Sequence, residues 1–171
     1  VILLQVRATG DAYYRSSIEP WSYRLTSSRV TDLGRDPGWD PLAVAVKTAH
    51  ARGIELHAYL NAFAVWECDR GAPPHAVADG PEHAYWSFAN YDPATKAYDP
   101  GWRVHALING VATPMGDGKT DPVACSEYLW ASAGVARVHQ RNIAVIRDIL
   151  TRYDVDGIHL DRVRYPGRQY S

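Results

Sequence analysis

The chain opens on an apolar run with β-branched residues, "VILLQVR", which predicts a buried strand. A polar and aromatic stretch follows, "ATGDAYYRSSIEPWSYRLTSSRVTDLGRDPGW", whose Gly, Pro, Ser and Thr content reads as a long loop. Next comes "DPLAVAVKTAHARG", a helix with its punctuation in place. Asp40 is the N-cap, Pro41 sits at the first helical position and Gly53 is the stop. Leu42, Ala45, Val46 and Ala49 form its apolar stripe. A second strand, "IELHAYLN", follows within a turn. Residues 62–127 show no clear periodicity, many Pro and Gly, and Trp66, Tyr85, Trp86, Phe88, Tyr91, Tyr98 and Trp102. They are expected to be one long loop insertion. From about Ser132 a helix runs to Tyr153, with Val135, Val138, Val145, Ile146, Ile149 and Tyr153 on one face, and "VDGIHLD" makes the third strand.

This order of strands and helices predicts βαβ units and a parallel sheet, hence an α/β fold. Side chains alternate across a strand. Ile2, Leu4 and Val6 therefore share one face of the first strand, and Leu3, Gln5 and Arg7 the other. Leu56, Ala58 and Leu60 oppose His57, Tyr59 and Asn61 in the second. Ile158 and Leu160 oppose Gly157, His159 and Asp161 in the third. Each strand has one apolar face, fit for helices, and one that turns polar toward its C-terminal end. A strand of an open doubly wound sheet would be apolar on both faces. Polar groups converging at the C-terminal mouth suit a (β/α)8 barrel. Residues 1–171 are accordingly expected to be a single segment of a partial (β/α)8 TIM barrel.

Composition narrows the function classes. With 18 basic and 19 acidic residues the net charge is -1, which gives no electrostatic reason to expect nucleic acid as a partner. No apolar run approaches the ~20 residues of a membrane span, and no signal peptide is visible. Six Trp and eleven Tyr stand against two Phe. Such flat rings with a polar edge suit sugars as well as protein interfaces. Cys68 and Cys125 are too few for a disulfide scaffold and lack zinc spacing; they form either a single disulfide or two buried thiols. The "GDGKT" stretch at 116–120 has Thr113 where a phosphate loop needs Gly, and it lacks the register of a calcium loop. Both are expected to be turns, and no cofactor is expected.

Asp161 is the strongest catalytic candidate, because it ends a strand, faces the interior of the expected barrel and has Arg162 and Arg164 beside it. A carboxylate so placed can be the nucleophile or charge stabiliser of glycoside hydrolysis, opposite a proton-donating carboxyl. The alternative is a structural ion pair at a strand end. Arg7 and Asn61 end the other two strands and are expected to bind sugar hydroxyls or orient Asp161. Asp11, Glu19 and Trp21 occupy the first loop on the same side, where carboxylates are usually solvated. His57, His159 and Asp161 also permit a metal reading, two His and a carboxylate serving a metal-dependent hydrolase. No compact ligand motif supports that reading, and no metal is expected.

Four stretches resemble the bacterial glycosyl hydrolase-like family 10 barrel proteins, which are distinct from the family 10 xylanases. They are "LLQVRATGDAYYRSSIEPWS", "WDPLAVAVKTAHARGIELHAYLN", "YLWASAGVARVHQ" and "RYDVDGIHLDRVRYP". The resemblance implies a (β/α)8 barrel, commonly exported to the periplasm or medium, that acts on or binds carbohydrate. It makes the present strands the second, third and fourth. Asp161 then falls where related barrel glycosidases keep a nucleophilic Asp. Asp11, Arg7, His57, Asn61, His159, Arg162 and Tyr165 would contact the sugar, and the aromatic segment from Trp66 to Trp102 would wall the cleft. A non-catalytic carbohydrate-binding barrel is the alternative. A complete barrel takes about 250 residues. The segment alone is therefore expected to be inactive, with exposed edges and its acid/base carboxyl elsewhere.

Overall fold

The computed structural model describes residues 1–92, 94–116 and 127–167. In chain order the strands and α-helices are β1 (Ile2–Arg7), α1 (Pro41–His50), β2 (Leu56–Asn61), β3 (Ala64–Glu67), α2 (Ala84–Ala89), β4 (His105–Ile108), β5 (Val111–Pro114), β6 (Tyr128–Trp130), α3 (Ala136–Arg152) and β7 (Gly157–Asp161). The three strands anticipated from the pattern form a parallel sheet in the order β1-β2-β7. Ile2 lies opposite Leu56, His57 opposite Gly157 and Asn61 opposite Asp161.

The first helix starts where its caps dictate. The Asp40 carboxylate accepts from the N–H groups of Leu42 and Ala43 at 3.1 and 3.2 Å, and Pro41 gives up no bond at the first position. Gly53, at φ +66°, takes the left-handed turn that leads into β2. Both long helices cover the same face of the sheet. Leu42, Val46 and Ala49 of α1, with Val145 and Ile149 of α3, pack on Val6, Leu56, Ala58 and Leu60. Each such aliphatic side chain taken fully out of water contributes about 1.5–3 kcal/mol. That layer decides which face of the sheet the helices take. Among the described residues the opposite face is left open, with Leu3 52% exposed.

The described residues of 62–127 are more structured than their pattern suggests. β3 pairs antiparallel with β6, and β4 and β5 form an antiparallel hairpin. The tip is Asn109-Gly110, at φ +50° and +81°, the pair that two-residue hairpin turns favour. A second core of Trp66, Tyr85, Phe88, Trp102 and Leu129 lies between these elements and α2. The aromatic residues are its interior, with Trp66 1% and Trp102 0% exposed. Strands and helices of four to six residues are too short to show a period. Cys68 is disulfide-bonded; Cys125 and positions 117–120 of the "GDGKT" stretch lie outside the described residues. Among the described residues, no helix is long and apolar enough to cross a membrane.

Candidate active site

The open face of the parallel sheet carries His57, Tyr59 and Asn61 on β2 beside His159 and Asp161 on β7. Parallel pairing sets Tyr59 opposite His159 and Asn61 opposite Asp161. The Tyr59 ring meets His159 edge-on at 5.5 Å, and its hydroxyl donates to Asp161 Oδ2 at 2.9 Å. The same hydroxyl lies 3.3 Å from Asn61 Oδ1. Asn61 is buried and donates through Nδ2 to the Ala8 carbonyl at 2.9 Å, which ties the end of β2 to the exit of β1.

Asp161 is held as an anion. The Arg162 backbone N–H donates to Oδ1 at 2.7 Å. That bond, and then the Tyr59 hydroxyl, keep the carboxyl below the usual carboxylate range. Burial, and then the hydrogen bond to Asp161, raise the Tyr59 hydroxyl, so it stays protonated as the donor. Asp161 remains 48% exposed, open to a ligand approaching the C-terminal end of the sheet. Arg162 reaches away from it to Glu127, donating from Nη2 to Oε1 at 2.7 Å, with its guanidinium 5.4 Å from the Tyr128 ring centre. Arg164 sits 5.2 Å from the Trp130 ring centre, and Tyr165 is exposed beyond it.

Arg7 is not part of this face. The register of β1 slips between Gln5 and Arg7, so Arg7 stands opposite Leu60 and not Asn61. A bulge adds one residue and reverses the side-chain alternation after it. Arg7 is fully buried and grips Glu19 with both ends of its fork, Nε to Oε2 at 2.7 Å and Nη2 to Oε1 at 2.9 Å. Arg141 of α3 adds a third contact to Glu19 Oε1 at 3.4 Å. Burial by itself would raise the Glu19 carboxyl, but Arg7 and Arg141 override it and hold it below the usual range.

Asp11 is equally inaccessible. It is fully buried, accepting from Thr9 N–H at 3.3 Å and Thr9 Oγ1 at 3.2 Å, with Arg24 Nη1 at 3.4 Å. Burial pushes its carboxyl up. The expectation of solvated loop carboxylates therefore fails for both Asp11 and Glu19. Their charges fasten the first loop to the sheet and α3, leaving neither free to touch a sugar. Nearby His83 is neutral: Nδ1 accepts from Tyr85 N–H at 3.1 Å, which leaves the Nε2 proton for the Thr9 carbonyl at 2.9 Å. Burial lowers its pKa to about 3.

His57 and His159 are two register steps apart on neighbouring strands. Among the described residues, no three His, Cys, Asp or Glu side chains gather where they could hold a metal ion. His57, His159 and Asp161 therefore do not converge as the metal triad that the sequence permits. The site residues missed in the sequence are Tyr59, Glu127 and Tyr128. Tyr59 was signalled by its place between His57 and Asn61 on the polar face. Glu127 carried no signal, since its partner Arg162 is 35 positions away.

A family model described as Glycosyl hydrolase-like 10 matches residues 1–98, more than half of the 171. The chain belongs to this family. The glycosyl hydrolase-like 10 match takes in β1, α1, β2, β3 and α2, and ends before β7. Similarity to the glycosyl hydrolase YngK of Bacillus subtilis (strain 168) extends further, at 26% identity over 166 residues, 96% of this chain and 25% of that protein. The glycosyl hydrolase DigH of Escherichia coli (strain K12) is 38% identical over 64 residues, 37% of this chain and 14% of that protein. The chain thus spans about a quarter of the first relative's length.

Proposed function

We propose that the protein carrying this chain hydrolyses glycosidic bonds in a poly- or oligosaccharide, with Asp161 as nucleophile or charge-stabilising carboxylate. The observation that carries this reading is the state of Asp161. It is an ionised, half-exposed carboxylate at the C-terminal end of a parallel strand, with a donor on each oxygen. An anion fixed in this way can stabilise or trap the positive charge that develops on the sugar as the bond breaks. Tyr59, His57 and His159 would line the subsite around it, with Arg162 and Tyr165 at its rim and the 62–127 lobe as a wall. The names of the relatives support the reaction class.

We place the three parallel strands as the second, third and fourth of a (β/α)8 barrel. Two features support this. Among the described residues, helices cover one face of the sheet and not the other, as in a barrel wall. At its β7 side Leu160 and Val163 are exposed beside Ile143 of α3, lining a groove of about 180 Å³ suited to further apolar packing. Export from the cytoplasm is part of the same reading, and the disulfide at Cys68 supports it.

The decisive experiment is Asp161→Asn in the whole protein, assayed for release of reducing ends from cell-wall and storage polysaccharides. Lost turnover with retained glycan binding is expected. Unchanged turnover would remove Asp161 from the chemistry, and binding without turnover in the wild type would mark a carbohydrate-binding barrel.

A further inference from the structure

Arg162 has φ +55° and Glu127 has φ +62°, both in the left-handed region that side-chain-bearing residues rarely occupy. The two are joined by the 2.7 Å ion pair between Arg162 Nη2 and Glu127 Oε1. Strained backbone of this kind persists only where surrounding contacts enforce it. For Arg162 the enforcing contacts are at the far end of its side chain, Glu127 on one side and the face of Tyr128 on the other. The Arg162 N–H donates to the carboxylate of the preceding residue, Asp161 Oδ1, at 2.7 Å, so the orientation of the Asp161–Arg162 peptide sets this bond. The guanidinium itself does not bond Asp161; its Nε is 4.0 Å from Oδ2, and that nitrogen is buried without a hydrogen-bond partner among the described residues.

We propose that Glu127 is a positioning residue for Asp161: by pinning the Arg162 guanidinium it anchors Arg162 and so holds the Asp161–Arg162 peptide with its N–H on Asp161 Oδ1. Glu127 immediately precedes β6, whereas Asp161 ends β7. The residue that closes the 62–127 lobe therefore sets the orientation of the carboxylate on the parallel sheet. The wider significance of this rests on the glycosidase reading, but the positioning does not.

The sign of one titration separates positioning from simple electrostatics. Asp161 is faced by Tyr59 and Asn61 from β2, by His159 from its own strand and by Arg162, with Glu127 and Tyr128 beyond. Removing the Glu127 charge by Glu127→Gln takes a negative neighbour away, so Coulomb interaction alone would lower the Asp161 midpoint. Loss of positioning releases the N–H and raises it. The Asp161 carboxyl carbon is followed by NMR with ¹³C-labelled aspartate in the whole protein, assigned by its loss in Asp161→Asn. A rise in Glu127→Gln is expected; a fall or no change overturns the proposal.

Arg162→Gly supplies the second arm, because it removes the guanidinium that Glu127 holds while tolerating the positive φ. Adding Glu127→Gln to Arg162→Gly is expected to produce no further rise. A rise as large as in the single variant would show that Glu127 does not act through Arg162. Neither arm needs a substrate, so both stand even where Asp161→Asn leaves turnover unchanged. Where turnover is present, the acidic limb of its pH profile is expected to move to higher pH in Glu127→Gln.

Discussion

Tyr59 donates its hydroxyl to Asp161 Oδ2 at 2.9 Å across the β2–β7 pair, two residues before the end of β2. Removing that hydroxyl by Tyr59→Phe keeps the ring against His159 but strips Asp161 of one of its two donors. The Asp161 midpoint is expected to rise toward the ordinary carboxylate range. A hydrogen bond to a charged group is worth about 1.5–3 kcal/mol, less where water competes. On the proposed glycosidase reading, the acidic limb of the whole protein's pH–rate profile should accordingly move to higher pH, by about one unit or less. Steady-state kinetics across pH would check this, and an unshifted limb would show that the bond does not set the Asp161 midpoint.

The Arg7–Glu19 pair has side chains 1% and 0% exposed, so it receives little screening from water. Glu19→Ala leaves the Arg7 guanidinium buried without its counter-charge and is expected to cost about 3–5 kcal/mol in a urea unfolding curve. Replacing both partners, with Arg7→Met and Glu19→Leu, should recover much of that loss. Because the folded Glu19 carboxyl lies below its unfolded range of about 4.3, its contribution is complete above that pH. It is lost as the pH falls through the folded value. A wild-type protein that shed this stability on going alkaline would contradict the assignment.

His50 of α1 sits 2.8 Å from Asp156, the residue before β7, and Asp156 also accepts from the Leu56 N–H at 2.8 Å. The hydrogen bond to Asp156 raises the His50 pKa. The His50 contribution is therefore full below the unfolded value of about 6.5 and disappears as the pH rises through the folded one. Asp156 is shifted down, first by the Leu56 N–H and then by His50, so its own contribution is lost only in acid. The thermal midpoint should decline from mildly acidic to mildly alkaline pH. In His50→Gln that decline should flatten, as differential scanning fluorimetry would show.

Much of the parallel sheet was legible because its signals are local. Asp40, Pro41 and Gly53 mark α1 by side-chain chemistry within a few residues, and the alternation of β7 puts Asp161 on the open face without reference to any other element. What the sequence hid was non-local. A single extra residue in β1 turns Arg7 away from the site, and no hydrophobic pattern announces a bulge. Glu19 looks like any loop carboxylate until Arg141, 122 positions on, arrives over it. The lobe in 62–127 buries aromatic rings in elements too short to repeat. Its one readable sign was Asn109-Gly110, flanked by "HALI" and "VATP".

Glu67 lies opposite Tyr128 in the β3–β6 ladder. The intervening chain thus departs and returns at a single doorway, and its length is uncoupled from the spacing of β2 and β7. Loops closed at such a neck grow at small entropic cost, about 0.6 kcal/mol per doubling. The lobe can therefore be enlarged or trimmed without disturbing the sheet beneath. If Glu127 at the doorway also governs Asp161, such remodelling within the lobe leaves the carboxylate's setting intact. The doorway is where diversification of the family would be tolerated.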